Sequence, residues 1–366
     1  MKKHPPLPGR WLPPLCLLAS LWGLALIWSA TRYDESLHSL PAKQAAALAV
    51  GLLLCLLLGR LRLRPVLARF WWLLPILNVG LLLLLVPLGN DDGTGNKSWI
   101  ALPGGIFNFQ PAEFVKISFL LLLALQLKAL APKGLDRPAA VFLLGAHALA
   151  LCALLYGVSG DMGSAAVYVC IYFVMLWSAG LHPLWLLSEA AVCAAALLLL
   201  WPRLPEYIRL RFLVVFDHQL DPLGKGFQQG RSVLAIGSGQ VTGQGYLQGI
   251  QTQSASPSAL PARHTDFIFS VAGEELGFLG CLLILLLLGA IVVGCILLAR
   301  GADPLLAHTA MGMAGMLGAQ TALNTAMCLY AAPVVGITLP FFSYGGSSLI
   351  ACFCGIGLLR SLARYP

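Results

Sequence analysis

Charge is what this sequence has least of. Only 10% of its 366 residues are Asp, Glu, Lys or Arg, against about 25% in a soluble globular domain. With 58% apolar residues and a mean hydropathy of +0.83, that scarcity excludes a soluble enzyme, a nucleic-acid binder and a disordered scaffold. A cysteine framework is missing as well. The ten cysteines all lie inside apolar runs, and none is spaced with His as a metal ligand would be, so they read as small buried hydrophobes. The first apolar run has no small-x-small cleavage site and continues as an ordinary span, so no cleavable signal is expected. Nor is there an internal duplication or an inverted pair of broken helices, which weakens a transporter reading. What remains is an integral membrane protein.

Crossing a bilayer takes roughly 20 mostly apolar residues. Ten segments qualify: 12–30, 43–59, 70–88, 111–131, 138–157, 162–180, 182–202, 270–299, 305–330 and 344–360. The expected fold is all-α and polytopic, a single domain over 1–366 with a long extracytoplasmic loop at about 203–266. Even parity puts both termini on one side. Lys2, Lys3, Arg10, Arg60, Arg62, Arg64, Arg69, Lys128, Lys133, Arg137, Arg300, Arg360 and Arg364 fall on that side, against Arg32, Lys43, Lys97 and Lys116 in or near the short loops opposite. Loops facing the cytoplasm collect bases, so both termini are expected there. The net charge of +8 is then mostly orientation, and no nucleic acid partner is implied. Acids run the other way. Only Asp136 and Asp303 lie in inner loops and Glu189 within the seventh span, so chemistry is expected at the outer face.

Four polar constellations stand against this background. In the first, Gln110-Pro111 opens the fourth span and Glu113 and Lys116 share one helix face. They read either as an ion pair holding the bundle or as the charged wall of a substrate cavity. Second, Asp161, in Ser159-Gly160-Asp161-Met162-Gly163-Ser164, is either a helix N-cap or a cavity residue. Third, Asp221-Pro222-Leu223-Gly224, Arg231-Ser232 and Ala235-Ile236-Gly237-Ser238-Gly239 combine an arginine able to hold phosphate with glycines that permit tight turns or close approach to a ligand. The fourth is Arg263-His264-Thr265-Asp266-Phe267, followed by Glu274-Glu275-Leu276-Gly277. Asp266 stands where polar loop becomes span. It reads as a helix cap or as a general base whose shielding raises its pKa. His147 and His308, alone within spans, read as helix-contact residues.

In this order and topology, these blocks resemble the SEDS family (shape, elongation, division and sporulation), which includes the RodA, FtsW and SpoVE proteins. The resemblance runs nearly the full length and is carried also by Trp99-Ile100, Gly243-Gln244-Gly245, Asn324, Pro333, Gly336, Leu339-Pro340-Phe341 and Ser343-Tyr344-Gly345-Gly346-Ser347-Ser348. It implies a peptidoglycan glycosyltransferase of the bacterial cytoplasmic membrane that polymerises lipid II, an undecaprenyl-pyrophosphate-linked disaccharide peptide, beside a class B penicillin-binding protein. The family's essential carboxylate matches Asp266, its charged pair Glu113 and Lys116, and its polar cavity residue Asp161. Arg231, His264 and Ser343 are further residues expected at the substrate. Lys116, Arg231 or a divalent cation, Mg or Mn, would neutralise the leaving pyrophosphate. The chain departs from the family pattern at Ser98, where Arg is usual, and at Ala262, Ser159-Gly160 and Arg231. Short termini favour a RodA-like member. A lipid-precursor flippase and a non-catalytic scaffold are the competing readings. The first needs a polar path to the inner face, and the second would not feel loss of Asp266.

Overall fold

The computed structural model describes residues 7–90, 96–101, 108–224, 226–256 and 258–365. Lys2 and Lys3, counted above, lie outside them. The first half of the chain holds α1 (Leu7–Thr31), α2 (Leu40–Leu58), α3 (Leu63–Phe70), α4 (Leu73–Leu83) and α5 (Leu85–Leu88). A two-stranded antiparallel ribbon follows, β1 (Ile100–Ala101) with β2 (Asn108–Phe109), then α6 (Pro111–Leu130), α7 (Pro138–Ser159), α8 (Met162–Ser178) and α9 (Pro183–Leu200). Two helices of the long loop, α10 (Glu206–Phe216) and α11 (Phe227–Ser238), precede α12 (Ile268–Ala299), α13 (Pro304–Cys328) and α14 (Gly346–Arg364).

Among the described residues seven helices are long and apolar enough to cross a membrane, and an eighth if the pair bent by 79° between α3 and α4–α5 is one span. This is the all-α polytopic fold expected. The third span was expected at 70–88. The helix that fits it is α4–α5, while α3, with Arg64 and Arg69 on it, turns away at Trp71-Trp72. The two other expected spans are present as helices. α8 has 17 residues, and α13 has 25 but carries Thr309, Gln320 and Asn324, all buried. A helix enclosed by other helices need not be apolar throughout. α13 packs on α6, α8, α11, α12 and α14, with Gly312 seated against Met175 and Leu120 and Gly315 against Val174. Small residues let helices approach closely where hydrophobic exclusion cannot drive them together.

One break shapes the end of the bundle on which the long loop lies. Gly277 interrupts α12 with φ +67, and the amides of Phe278 and Leu279 turn to the carbonyls of Gln240 and Val241. Freed backbone groups at membrane depth must find partners in the protein, and here the long loop supplies them. The segment from Phe267 to Glu275 is buried throughout. Glu274 accepts the amides of Gln251 and Thr252 and the Thr252 hydroxyl, and Glu275 accepts Ser29 Oγ and Gln253 Nε2. The long loop is thereby tied down onto a rigid platform.

Candidate active site

A cavity of about 540 Å³ opens at the end of the bundle where the long loop lies. α6 brings Glu113 and Lys116 to its wall because Pro111 sits at the first helical position behind an extended Gln110. Both side chains are buried, and Lys116 Nζ lies 2.7 Å from Glu113 Oε1. The pair is an ion pair that also lines the cavity. Asp161 is likewise both a helix cap and a cavity-lining residue. Its Oδ1 caps α8 through the Ser164 amide at 2.8 Å, Oδ2 accepts Ser164 Oγ and Gln110 Nε2, and the residue lines the cavity. Burial raises the Asp161 pKa, an effect its Ser164 hydrogen bonds and the Lys116 charge oppose.

Asp266 is held by its backbone. Three consecutive carbonyls accept hydrogen bonds from the α13–α14 region: His264 O from the Tyr344 amide, Thr265 O from Ser343 Oγ at 2.6 Å, and Asp266 O from Asn324 Nδ2 at 2.8 Å. From the other side, the Ala262 carbonyl accepts the amides of Thr265 and Phe267. Asp266 is not the cap of α12, whose cap position is Phe267 with no side-chain hydrogen bond. Its half-buried carboxylate lines the cavity opposite Gly336, a glycine at φ +68 at which an added Cβ would lie 3.9 Å from Asp266 Oδ2. Burial lifts the Asp266 pKa to about 6, with the Asp161 charge pushing the same way. A carboxylate so placed is ionised at neutral pH yet basic enough to accept a proton.

The other expected residues separate. His264 lines the cavity with Nδ1 buried and unpartnered, and burial beside Arg263 lowers its pKa to about 4, so it is neutral. Ser343 is a brace behind the wall, its Oγ accepting the Leu339 amide and donating to Thr265. Arg231 lies on α11 over the Phe227 ring at 5.4 Å and is not among the lining residues. The long-loop arginine on the cavity is Arg211, from α10. Of the glycines expected at tight turns or close to a ligand, Gly239 sits on the backbone of Gly273 while Gly237 has open space beside it; Gly243 sits on the backbone of Glu275. Arg263 is structural, donating to the carbonyls of Leu260, Gln251, Thr252 and Ser254 with its guanidinium 3.7 Å from the Tyr33 ring centroid.

Sequence reading missed Arg211, Gln320 and Gln44. Gln320 and Asn324 are four apart, one face of α13, a polar pair within a span that could have signalled the cavity. Gln44 is buried on α2 and brackets Tyr344, donating to Ser343 O and accepting the Gly345 amide. Around the cavity, Ser98 Oγ, His264 Nδ1 and Gln320 Oε1 are buried polar atoms without a hydrogen-bond partner. Such atoms are costly unless something else bonds them. Among the described residues no group of three or more His, Cys, Asp or Glu gathers as metal ligands.

Known proteins resemble this chain over nearly its whole length. The family model of the FtsW, RodA and SpoVE cell cycle proteins matches residues 11–366. The peptidoglycan glycosyltransferase MrdB of Escherichia coli K12 is 32% identical over 359 residues, 96% of this chain and 92% of that protein. The probable peptidoglycan glycosyltransferase FtsW of Haemophilus influenzae is 34% identical over 354 residues, 94% of this chain and 87% of its own. Among solved structures, a chain of a peptidoglycan synthase complex that coordinates polymerization and crosslinking superposes with a TM-score of 0.79 at 32% identity, covering 96% of each chain. The rod shape determining protein RodA of Thermus thermophilus gives 0.68 at 30% identity, covering 97% of each. The chain belongs to the family of FtsW, RodA and SpoVE cell cycle proteins.

Proposed function

We propose that this protein is a peptidoglycan glycosyltransferase that polymerises lipid II on the outer face of the cytoplasmic membrane, with both termini in the cytoplasm. One observation carries the reading: a carboxylate pinned by three successive backbone carbonyls, raised in pKa, in a cavity that also holds Lys116, Arg211 and three unsatisfied polar atoms. The donor sugar is α-linked to undecaprenyl pyrophosphate and the polymer is β-linked, so one displacement inverts C1. The acceptor's C4 oxygen forms the new bond to C1 while its proton passes to Asp266. The C1–O bond to pyrophosphate breaks and its electron pair leaves with undecaprenyl pyrophosphate. Arg211 and Lys116 are the cations on the cavity that would meet the charge developing on that oxygen. No step here runs through a metal.

What supports an enzyme over a flippase is where the polar lining stops. Beyond Lys116 and Gln320, α6 and α13 continue as buried Phe119, Leu120, Leu123, Met313 and Leu317. A headgroup crossing to the other face would meet that apolar core. The resemblance to a chain of a synthase complex supports a cross-linking partner, for which a class B penicillin-binding protein is the proposed occupant. The test is a purified preparation with labelled lipid II and that partner. Muramidase-sensitive glycan with release of undecaprenyl pyrophosphate is expected, and lipid translocation without polymer would overturn the reading.

A further inference from the structure

A second built feature lies far from this cavity, where α2 and α14 end. The turn after α2 is stitched to the end of α14 at four points. Arg360 lies against Gly59, Tyr365 OH donates to the Arg60 carbonyl, Ser361 Oγ donates to the Leu61 carbonyl, and Arg64 donates to the Leu362 carbonyl. This fixes five arginines in one place. Arg64 is neutralised by Asp303, the N-cap of α13. Among the described residues no carboxylate pairs with the other four, Arg60, Arg62, Arg360 and Arg364. Arg62 and Arg364 converge on Tyr365, 5.5 and 5.6 Å from its ring centroid.

Four like charges held together by the backbone call for an anion. The surroundings say which kind. Leu53, Leu57 and Leu61 are exposed along α2 and its end, and Phe70, Trp71 and Trp72 are exposed at the 79° bend after α3. Exposed leucines on a span face acyl chains, and aromatic side chains at a span end mark the headgroup level. A soluble phosphate would use the charges but not the apolar strip beside them.

We propose that this face binds an anionic phospholipid with two phosphates in its headgroup. The phosphates would sit on Arg60, Arg62, Arg360 and Arg364, and the acyl chains along the exposed leucines of α2. Basic pockets between spanning helices bind such headgroups by charge, at a strength set by the number of bases. The site is independent of the chemistry proposed for Asp266. It gives the protein a means of responding to the lipid composition of the leaflet that contains both chain ends.

The test is native mass spectrometry of the full-length protein with tetraoleoyl cardiolipin and, in parallel, dioleoyl phosphatidylcholine. Cardiolipin should be retained and phosphatidylcholine lost. The double variant Arg62→Gln/Arg364→Gln should lower cardiolipin retention on the order of tenfold. Lys133→Gln/Arg137→Gln, which removes the same charge from the α6–α7 connection, should leave it unchanged. Thermal unfolding in the same detergent checks that each variant is folded, and Arg60→Gln/Arg360→Gln carries the comparison if the first pair is not. Equal retention by variant and wild type, an equal loss in the control pair, or equal retention of phosphatidylcholine would each overturn the proposal.

Discussion

Asn324 donates one amide hydrogen to the carbonyl of Asp266, at 2.8 Å, and the other to the carbonyl of Ile337, at 2.7 Å. One residue of α13 thus sets the distance between the carboxylate and the 334–338 segment that forms the facing wall of the cavity. Replacing Asn324 by Ala leaves two buried carbonyls short of a partner, at about 1–3 kcal/mol each. Asn324→Ala is expected to unfold at lower temperature and to polymerise roughly 100-fold more slowly, as misplacement by about 1 Å does. Asn324→Asp, which sets a carboxylate against both carbonyls, should be worse on both measures.

The pH profile follows from the pKa of about 6 at Asp266. A general base works only when ionised, so the rate should rise through about pH 6 and level off above it. His264, at about 4, titrates too low to produce that limb. Because the Asp161 charge helps raise the Asp266 pKa, Asp161→Asn should move the midpoint to lower pH. A midpoint unmoved in that variant would remove the coupling from the account.

The same shift has a stability consequence. The folded pKa lies above the usual carboxylate value, so ionising Asp266 costs the folded state more than the unfolded one. That cost is absent below the unfolded pKa and complete above about pH 6. Asp266→Asn should therefore melt at a higher temperature than wild type at pH 7.5, with the difference shrinking as pH falls towards 4.

Two arginines of the long loop separate the geometry from the sequence. Arg211 lines the cavity, and Arg231 stacks on Phe227. Arg211→Ala should lower kcat by about 10²-fold or more, as loss of a charge-stabilising donor does, with Arg211→Lys recovering part of it. Arg231→Ala should stay within a few-fold of wild type. The reverse order, measured on folded protein, would return the phosphate-facing role to α11.

How much of this was legible beforehand depended on whether a residue's role was local. Asp266 could be read because it stands at a polar–apolar boundary inside a specific string of residues. Glu113 and Lys116 could be read because a spacing of three places them on one helix face. Arg211 and Arg231 could not be ranked, since which helix face turns to the cavity is decided by how α10 and α11 lie on the bundle. Gln44 gave no signal at all: its partners are 299 and 301 residues away. Gly239 signalled close approach, and only the fold shows that the approaching surface is the backbone of α12. The third span was placed within three residues of α4, but the turn of α3 out of its line is a tertiary matter.

The buried pair Glu113 and Lys116 makes a further prediction. Removing one partner strands a charge, costing about 3–5 kcal/mol, whereas replacing both is close to neutral. Lys116→Met should express poorly, and Glu113→Gln/Lys116→Met should recover folding. If Lys116 serves the leaving group, the double variant will be folded and still inactive, a separation that unfolding and polymerisation assays report independently.

The central claim is that Asp266 takes the proton. The most direct measurement is the single-turnover rate of lipid II polymerisation by purified wild type, Asp266→Ala and Asp266→Asn, each with the cross-linking partner and each shown to be folded. The account predicts glycan from wild type and a loss of at least about 10²-fold in both variants, the usual contribution of a positioned base. Polymer formed by folded Asp266→Asn at the wild-type rate would contradict it.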